Sequence, residues 1–247
     1  MNPFPGLRPF EPDEDHLFFG RERQIDEILR KLRTNRFLLV TGASGSGKSS
    51  LVRSGLIPSL YSGLMANTGS NWRVAILRPG EDPLGNLAAA LDQPDVLAMS
   101  NEPTATNRML IDVTLRRSGL GLVEAVRQAR IPPQDNVLVV IDQFEELFRF
   151  RASRTAQNSK DEAAAFVKLL LEAVQQNTVP VRIVLTMRAD FIGDCMEFLG
   201  LPEALNTGQY LVPRMTRDQL RSAITGPIAV AGGSIAPRLV SRLLNDC

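Results

Sequence analysis

Residues 137–141 read Val-Leu-Val-Val-Ile, an apolar run with no polar interruption. A strand with one wet face alternates apolar and polar residues, so a continuous run requires cover on both faces. Further strand-like runs occur at Phe37–Val40, at Trp72–Leu77 and Val181–Thr186, each with an arginine in second place, and, shorter, at Tyr210–Val212. Between them lie stretches with helical spacing: Ile25, Ile28, Leu29 and Leu32 after Glu22, then Leu84–Leu91, Met109–Leu115, Leu120–Ala129 and Ala163–Val174. Strands alternating with helices predict an α/β fold, a three-layer parallel sheet of about five strands flanked by helices. Residues 1–16 read as an irregular arm punctuated by Pro3, Pro5, Pro9 and Pro12. A polar loop is expected from about residue 92, and the polar stretch 151–161 predicts another, exposed one. From Thr216 onward the pattern is helical only.

The loop after the first strand is Gly-Ala-Ser-Gly-Ser-Gly-Lys-Ser-Ser, residues 42–50. Gly42, Gly47, Lys48 and Ser49 fill every fixed position of G-x-x-x-x-G-K-[ST], the Walker A pattern. Backbone amides converge on a phosphate only where side chains do not block the approach, which explains the glycines. The helix that follows points its positive end at the same anion. The strand before and the apolar helix after supply the context this motif needs. Gly42, Ala43, Ser44, Gly45, Ser46, Gly47, Lys48, Ser49 and Ser50 are therefore expected to cradle the phosphates. Lys48 reaches the terminal phosphates, and the Ser49 hydroxyl is offered to Mg²⁺.

That reading assigns a role to Asp142, which ends the run 137–141 about ninety residues later. A strand-terminal acid in such a protein, the Walker B acid, holds the Mg²⁺ shell with Ser49. Glu145 and Glu146 follow, and hydrolysis requires a carboxylate to orient and deprotonate water. Gln143 occupies the position directly after Asp142, so either glutamate serves only after a turn, with Glu145 ahead. The fourth strand ends Leu-Thr-Met-Arg-Ala-Asp-Phe, which places Thr186 and Arg188 where a γ-phosphate is sensed. The plain alternative for Arg188 is an ion pair with Asp190 or Asp194.

Charge bounds the partners. With 28 basic and 27 acidic residues the chain is no polycation, which argues against nucleic acid. Arg116, Arg117, Arg127 and Arg130 offer a local basic patch, or simply a solvated helical face. Cys195 and Cys247 provide no disulfide framework and suit a reducing compartment. The N-terminus is Pro-rich and acidic rather than basic and then apolar, and no run approaches the roughly 18 apolar residues that span a bilayer. A soluble, cytoplasmic protein without a membrane segment is expected.

The stretch 2–28, the loop 42–50, Val-Val-Ile-Asp-Gln-Phe-Glu-Glu-Leu-Phe and Leu-Thr-Met-Arg-Ala-Asp-Phe together resemble the novel STAND NTPases, signal-transduction P-loop ATPases related to the NACHT and apoptotic-ATPase groups. The resemblance implies an additional-strand-catalysis (ASCE) core in which the Arg188 strand separates the Lys48 and Asp142 strands. It implies an adenine-side segment at Phe19, Gly20, Arg21 and Glu22, where the residues alone suggest that Phe18 and Phe19 anchor the arm. It implies an arginine sensor at Arg188 and a base-contacting lid proline at Pro227. Gly226-Pro227 also reads as an ordinary helix stop.

The corresponding division is an arm and adenine-side segment over 1–20, a P-loop core over 21–213, and the beginning of a helical lid over 214–247. Relatives of this kind continue into a winged-helix domain and sensor repeats, so the lid is expected to be truncated and the chain to be one module of a larger protein. His16 is the only histidine, so a winged-helix histidine capping ADP is not supplied here. The expected activity is slow, Mg²⁺-dependent ATP hydrolysis by a signalling switch that binds ATP/ADP and self-associates through this domain. The alternatives are a nucleotide-binding interaction module with negligible turnover and an origin-recognition-like, DNA-associated ATPase. A small-molecule kinase finds no acceptor-binding lid in the sequence.

Overall fold

The computed structural model describes residues 2–65, 71–97, 105–153, 157–176 and 178–246. After the arm, helix α1 (Glu22–Thr34) leads into strand β1 (Phe37–Gly42) and the glycine loop. The next helical segment begins as α2 (Lys48–Ser50), widens into a π-helix over Leu51–Leu56, and closes as α3 (Ile57–Tyr61). Then come β2 (Asn71–Leu77), α4 (Pro83–Leu91), α5 (Ala105–Arg117), α6 (Gly121–Gln128) and β3 (Asp135–Ile141). Helices α7 (Glu146–Ser153) and α8 (Gln157–Gln175) precede β4 (Val181–Arg188), α9 (Leu201–Thr207) and β5 (Gln209–Leu211). Helices α10 (Arg217–Val230) and α11 (Pro237–Asp246) complete the order.

The five strands form one parallel sheet in the order β2-β3-β4-β1-β5. The β4 strand lies between β1 and β3, as expected for the Arg188 strand. Successive strand residues point to opposite faces, so the unbroken runs are shared between two cores. Leu39, Val139, Ile141, Ile183 and Leu185 face one side, with apolar residues of α4 to α9. Leu38, Val40, Leu138, Val140 and Val184 face the other, with α1, the π-helix and α3. The switch point, where the chain leaves β1 for one layer and β3 and β4 for the other, brings the ends of all three strands together.

The expected loop at 151–161 is not one. Residues 151–153 finish α7 and residue 157 already belongs to α8, while 154–156 lie outside the described residues. The polar composition concealed a helix because its buried stripe is narrow at that end. Ser159 and Ala163 are buried, and Phe166, Val167 and Leu170 continue the same face. Of the polar loop expected from residue 92, residues 98–104 lie outside the described residues, as does Cys247. Cys195 is buried, and burial pushes its thiol up to about 12.

The arm is also more ordered than its prolines suggested. Residues Pro12–Leu17 form a 3-10 helix, with Glu11 before it and the Glu14 side chain accepting from the Glu11 N–H at 2.9 Å. Arg8 binds both Glu14 oxygens, at 2.7 and 2.6 Å, and holds that carboxyl down to about 2. Nor does Gly226-Pro227 stop a helix: α10 runs through both residues to Val230. A Cβ at Gly226 would stand 2.5 Å from the Phe19 ring, so the glycine serves close packing of that ring on α10. No described helix is long and apolar enough to cross a membrane.

Candidate active site

The loop's shape follows from its glycines. Gly45 and Gly47 have φ of +73° and +82°, left-handed values that other residues adopt only at a cost. Lys48 is buried, and its ammonium donates back to Gly42 O at 3.2 Å and Ala43 O at 2.7 Å. Burial lowers the Lys48 pKa, and the Arg188 charge adds to that effect, while the Glu145, Asp142 and Asp190 charges oppose it. Arg21, buried beside the loop, donates to Ser46 O at 3.1 Å and to Pro213 O at 2.9 Å.

At the end of β3, Asp142 is 1% exposed. Its Oδ1 accepts from the Ser49 and Thr186 hydroxyls, each at 2.6 Å. Its Oδ2 faces Arg53 at 3.3 Å and Arg78 at 4.0 Å. Gln143 then turns left-handed, with φ +59°, and its N–H donates to Thr186 Oγ1 at 3.0 Å. That turn, pinned by the buried Phe144, sends the two glutamates in different directions. Glu145 is buried on the cavity wall beside Lys48, and its Oε2 has no hydrogen-bond partner. Glu146 instead accepts the Gly80 N–H at 3.2 Å. Its other oxygen lies 3.2 Å from the Gln143 side-chain amide, whose carbonyl accepts from Arg78 at 3.1 Å. Glu146 is thus engaged by the turn after β2.

A cavity of about 580 Å³ opens over this cluster. Lys48, Ser49, Gln143, Glu145, Thr186 and Arg188 line it, with Ser44, Gly45, Gly47 and Ser50 from the loop. Arm residues Gly6–Pro9 close one side, and Arg149 of α7 adds a cation. Oxygen donors at Ser49 and Asp142 suit a hard divalent cation that completes its shell with water and phosphate. The partnerless Glu145 oxygen is the kind of buried acceptor that a bound water would satisfy. These residues fit Mg²⁺ and a polyphosphate.

A second cavity, about 740 Å³, lies across the same loop and shares Ser44, Gly45, Gly47 and Ser50 as a wall. Ala43 and Ser46 also border it, and Phe4, Phe10, Phe18 and Phe19 give it apolar lining, joined by Arg21, Pro213, Met215 and Leu220. A planar base requires such a slot. Phe18 and Phe19 also act as anchors: Phe18 meets Phe10 edge-on at 5.7 Å, and Phe19 packs on Gly226. Gly20 does not line the cavity; it allows the arm to touch α10, where a Cβ would lie 2.3 Å from Gln219 O. Pro227 is buried within α10 and does not line the cavity, which Pro213, Arg214 and Met215 border instead.

The structure gives Arg188 the ion pair that was the plain alternative, while placing it at the cavity. It lines the cavity beside Lys48, and its guanidinium binds Asp190 at 3.1 and 2.6 Å and lies 5.4 Å above the Phe191 ring. The basic patch is partly neutralised, because Arg116 pairs at 3.0 Å with each of Asp82, Asp112 and Glu162. Sequence reasoning missed Arg53, Glu11, Arg8 and Arg149. Their approach to the site depends on how the arm and α7 fold back, and no local motif signals that.

Known proteins resemble this chain in sequence family and in fold. The family described as Novel STAND NTPase 1 matches residues 3–247. No curated protein matches the sequence significantly. Among solved structures, similarity extends to a chain of the E. coli MS115-1 HORMA:CdnC:Trip13 complex, with TM-score 0.57 and 12% identity over 97% of this chain and 77% of that one. A Walker-type ATPase of Pyrococcus abyssi gives TM-score 0.56 and 15% identity, over 97% of this chain and 65% of that one. The Aeropyrum pernix ORC2 protein in its ADPNP-ADP complexes gives 0.51 and 12%, over 90% and 54%. At these identities the likeness is one of fold. All three neighbours extend beyond the region that this chain matches.

Proposed function

This chain belongs to the novel STAND NTPase 1 family, and we propose on that premise that it binds ATP with Mg²⁺ and hydrolyses it slowly, as a switch within a larger signalling protein. The loop amides and the start of the helical segment after the loop hold the phosphates. Lys48 exchanges its two carbonyl partners for phosphate oxygens. Ser49 and Asp142 would hold Mg²⁺, which when bound supplies charge neutralisation on the phosphates. Thr186 fixes the Asp142 carboxylate and, with Arg188, stands where a γ-phosphate is sensed. The slot beside Phe19 and Arg21 accepts the base.

Glu145 accepts a proton from the attacking water. The water oxygen bonds to the γ-phosphorus while the bond to the bridging oxygen breaks, and ADP leaves with that electron pair. The observation that carries this reading is the buried, partnerless Glu145 oxygen in the same cavity as Lys48. Glu145 is therefore preferred over Glu146, whose carboxylate is engaged at Gly80.

Self-association through this domain, with a cation supplied in trans, fits a switch, although Arg149 already provides one within the chain. Residues 1–20, 21–213 and 214–247 would act as arm, core and lid. The alternative of a DNA-associated ATPase is disfavoured by the near-balanced charge and the paired Arg116. Phosphate release from ATP with Mg²⁺, compared with Lys48→Ala and Glu145→Gln, tests the proposal. Turnover lost in both, with binding retained in Glu145→Gln, supports it. Tight binding without turnover in the unaltered chain would instead identify a passive nucleotide-binding module.

A further inference from the structure

The helical segment after the loop turns one face to the arm, through Ser50, Arg53 and Ser54, residues at the spacing that aligns side chains on a helix. The Phe10 N–H donates to Ser50 Oγ at 3.1 Å, and Ser54 Oγ donates to Glu11 O at 2.6 Å. Between them, Arg53 Nη1 donates to both Glu11 carboxylate oxygens, at 2.9 and 2.8 Å. The other amine of the same guanidinium lies 3.3 Å from Asp142 Oδ2. One arginine therefore bridges the arm and the acid at the end of β3. It sits in the π-helical stretch Leu51–Leu56, a wide-turn geometry often found at functional positions.

We infer that Arg53 is a positioning residue that couples attachment of the arm to the Asp142 carboxylate, so that the arm sets how strongly the site attracts its divalent cation. The inference rests on the nucleotide-binding reading above. The Arg53 side chain is 16% exposed and Asp142 1%, so their charges interact through little water. Glu11 and Asp142 share one guanidinium, and Arg78 adds a cation 4.0 Å from the same Asp142 oxygen. While Glu11 holds Arg53, Asp142 keeps more of its own charge for a metal. Removing the Glu11 charge leaves Arg53 entirely to Asp142 and weakens the attraction. Removing the Arg53 charge strengthens it but frees the arm. Because Gly6–Pro9 line the phosphate cavity, a freed arm also uncovers that cavity.

The test uses the full chain, unaltered and as Arg53→Met and Glu11→Gln. Affinity for a fluorescent ATP analogue is followed against free Mg²⁺, and chymotrypsin cleavage after Leu7 and Phe10 reports on the arm. Both variants are expected to be cut about fivefold faster or more. The Mg²⁺ midpoint is expected to rise about threefold in Glu11→Gln and to fall about threefold in Arg53→Met. A packing defect would move both midpoints in the same direction, so opposite shifts are the signature of the coupling. Midpoints that move together or not at all, or unchanged cleavage, would overturn it. Should Arg53→Met fail to fold, Arg53→Gln, which keeps a hydrogen-bond donor without the charge, replaces it and must still shift the midpoint opposite to Glu11→Gln. If the unaltered chain binds no nucleotide at any Mg²⁺ concentration, the proposed function fails and the coupling falls with it, whereas nucleotide binding with unshifted midpoints overturns the coupling alone.

Discussion

The Ser49 hydroxyl donates to Asp142 Oδ1 at 2.6 Å across 93 residues of sequence. The contact joins the end of the glycine loop to the end of β3, and Thr186 reaches the same oxygen from β4. Three neighbouring strands thus meet at one carboxylate. Ser49→Ala removes one oxygen donor and leaves the buried carboxylate held by Thr186. The Mg²⁺ concentration required for tight ATP binding is expected to rise about 10- to 100-fold, while Mg²⁺-free binding changes little. Titration with a fluorescent ATP analogue, with and without Mg²⁺, checks this.

The two glutamates differ in what they touch, so their variants should differ in kind. Glu145→Gln is expected to lower turnover about 10²- to 10⁴-fold with ATP affinity nearly unchanged. Glu146→Gln disturbs the contact at Gly80 and is expected to affect thermal stability more than turnover. Single-turnover phosphate release and melting curves on both variants distinguish these outcomes.

Lys48 carries a prediction about pH. Burial lowers its pKa from the ordinary 10.5. The ammonium is present below that lowered value and is lost as pH rises through it. ATP affinity should therefore decline on the alkaline side, beginning at a lower pH than a lysine at the ordinary 10.5 would give. Lys48→Met should abolish the alkaline decline as well as most of the affinity. Affinity measured across alkaline pH for both chains reads this directly.

Gly20 tests the junction of arm and lid. Its φ is +84°, and an added Cβ would meet Gln219 O at 2.3 Å. Gly20→Ala is expected to cost about 1–3 kcal/mol, from backbone strain and displacement of α10. A lowered midpoint in denaturant would register it, and an unchanged midpoint would show that the arm and α10 separate freely.

Much of this architecture was legible because the sheet is covered on both faces. Residues 137–141 could hardly be anything but an inner strand, and residues 42–50 announced their own loop. Local chemistry also marked Ser49, Asp142 and Thr186, since each ends or follows a strand. The failures have local causes. The start of α8 reads as polar because, among the described residues there, Ser159 and Ala163 carry the buried face. Pro227 looked like a stop, yet α10 continues through it to Val230 with one backbone donor fewer. The choice between Glu145 and Glu146 turned on the left-handed Gln143, a dihedral that no composition rule anticipates. Arg53 and Glu11 were invisible because the fold brings them together across 42 residues.

Arg21 links the loop at Ser46 O with the chain at Pro213 O, where β5 gives way to the approach to α10. A single planar guanidinium cannot keep both carbonyls if that approach swings outward. Each charged hydrogen bond broken in such a place costs about 1.5–3 kcal/mol. With tenfold in population for every 1.4 kcal/mol or so, loss of that one bond disfavours the swung arrangement about ten- to a hundredfold, before the packing of Phe19 on Gly226 is counted. A swing therefore needs an outside contribution that replaces what Arg21 gives up.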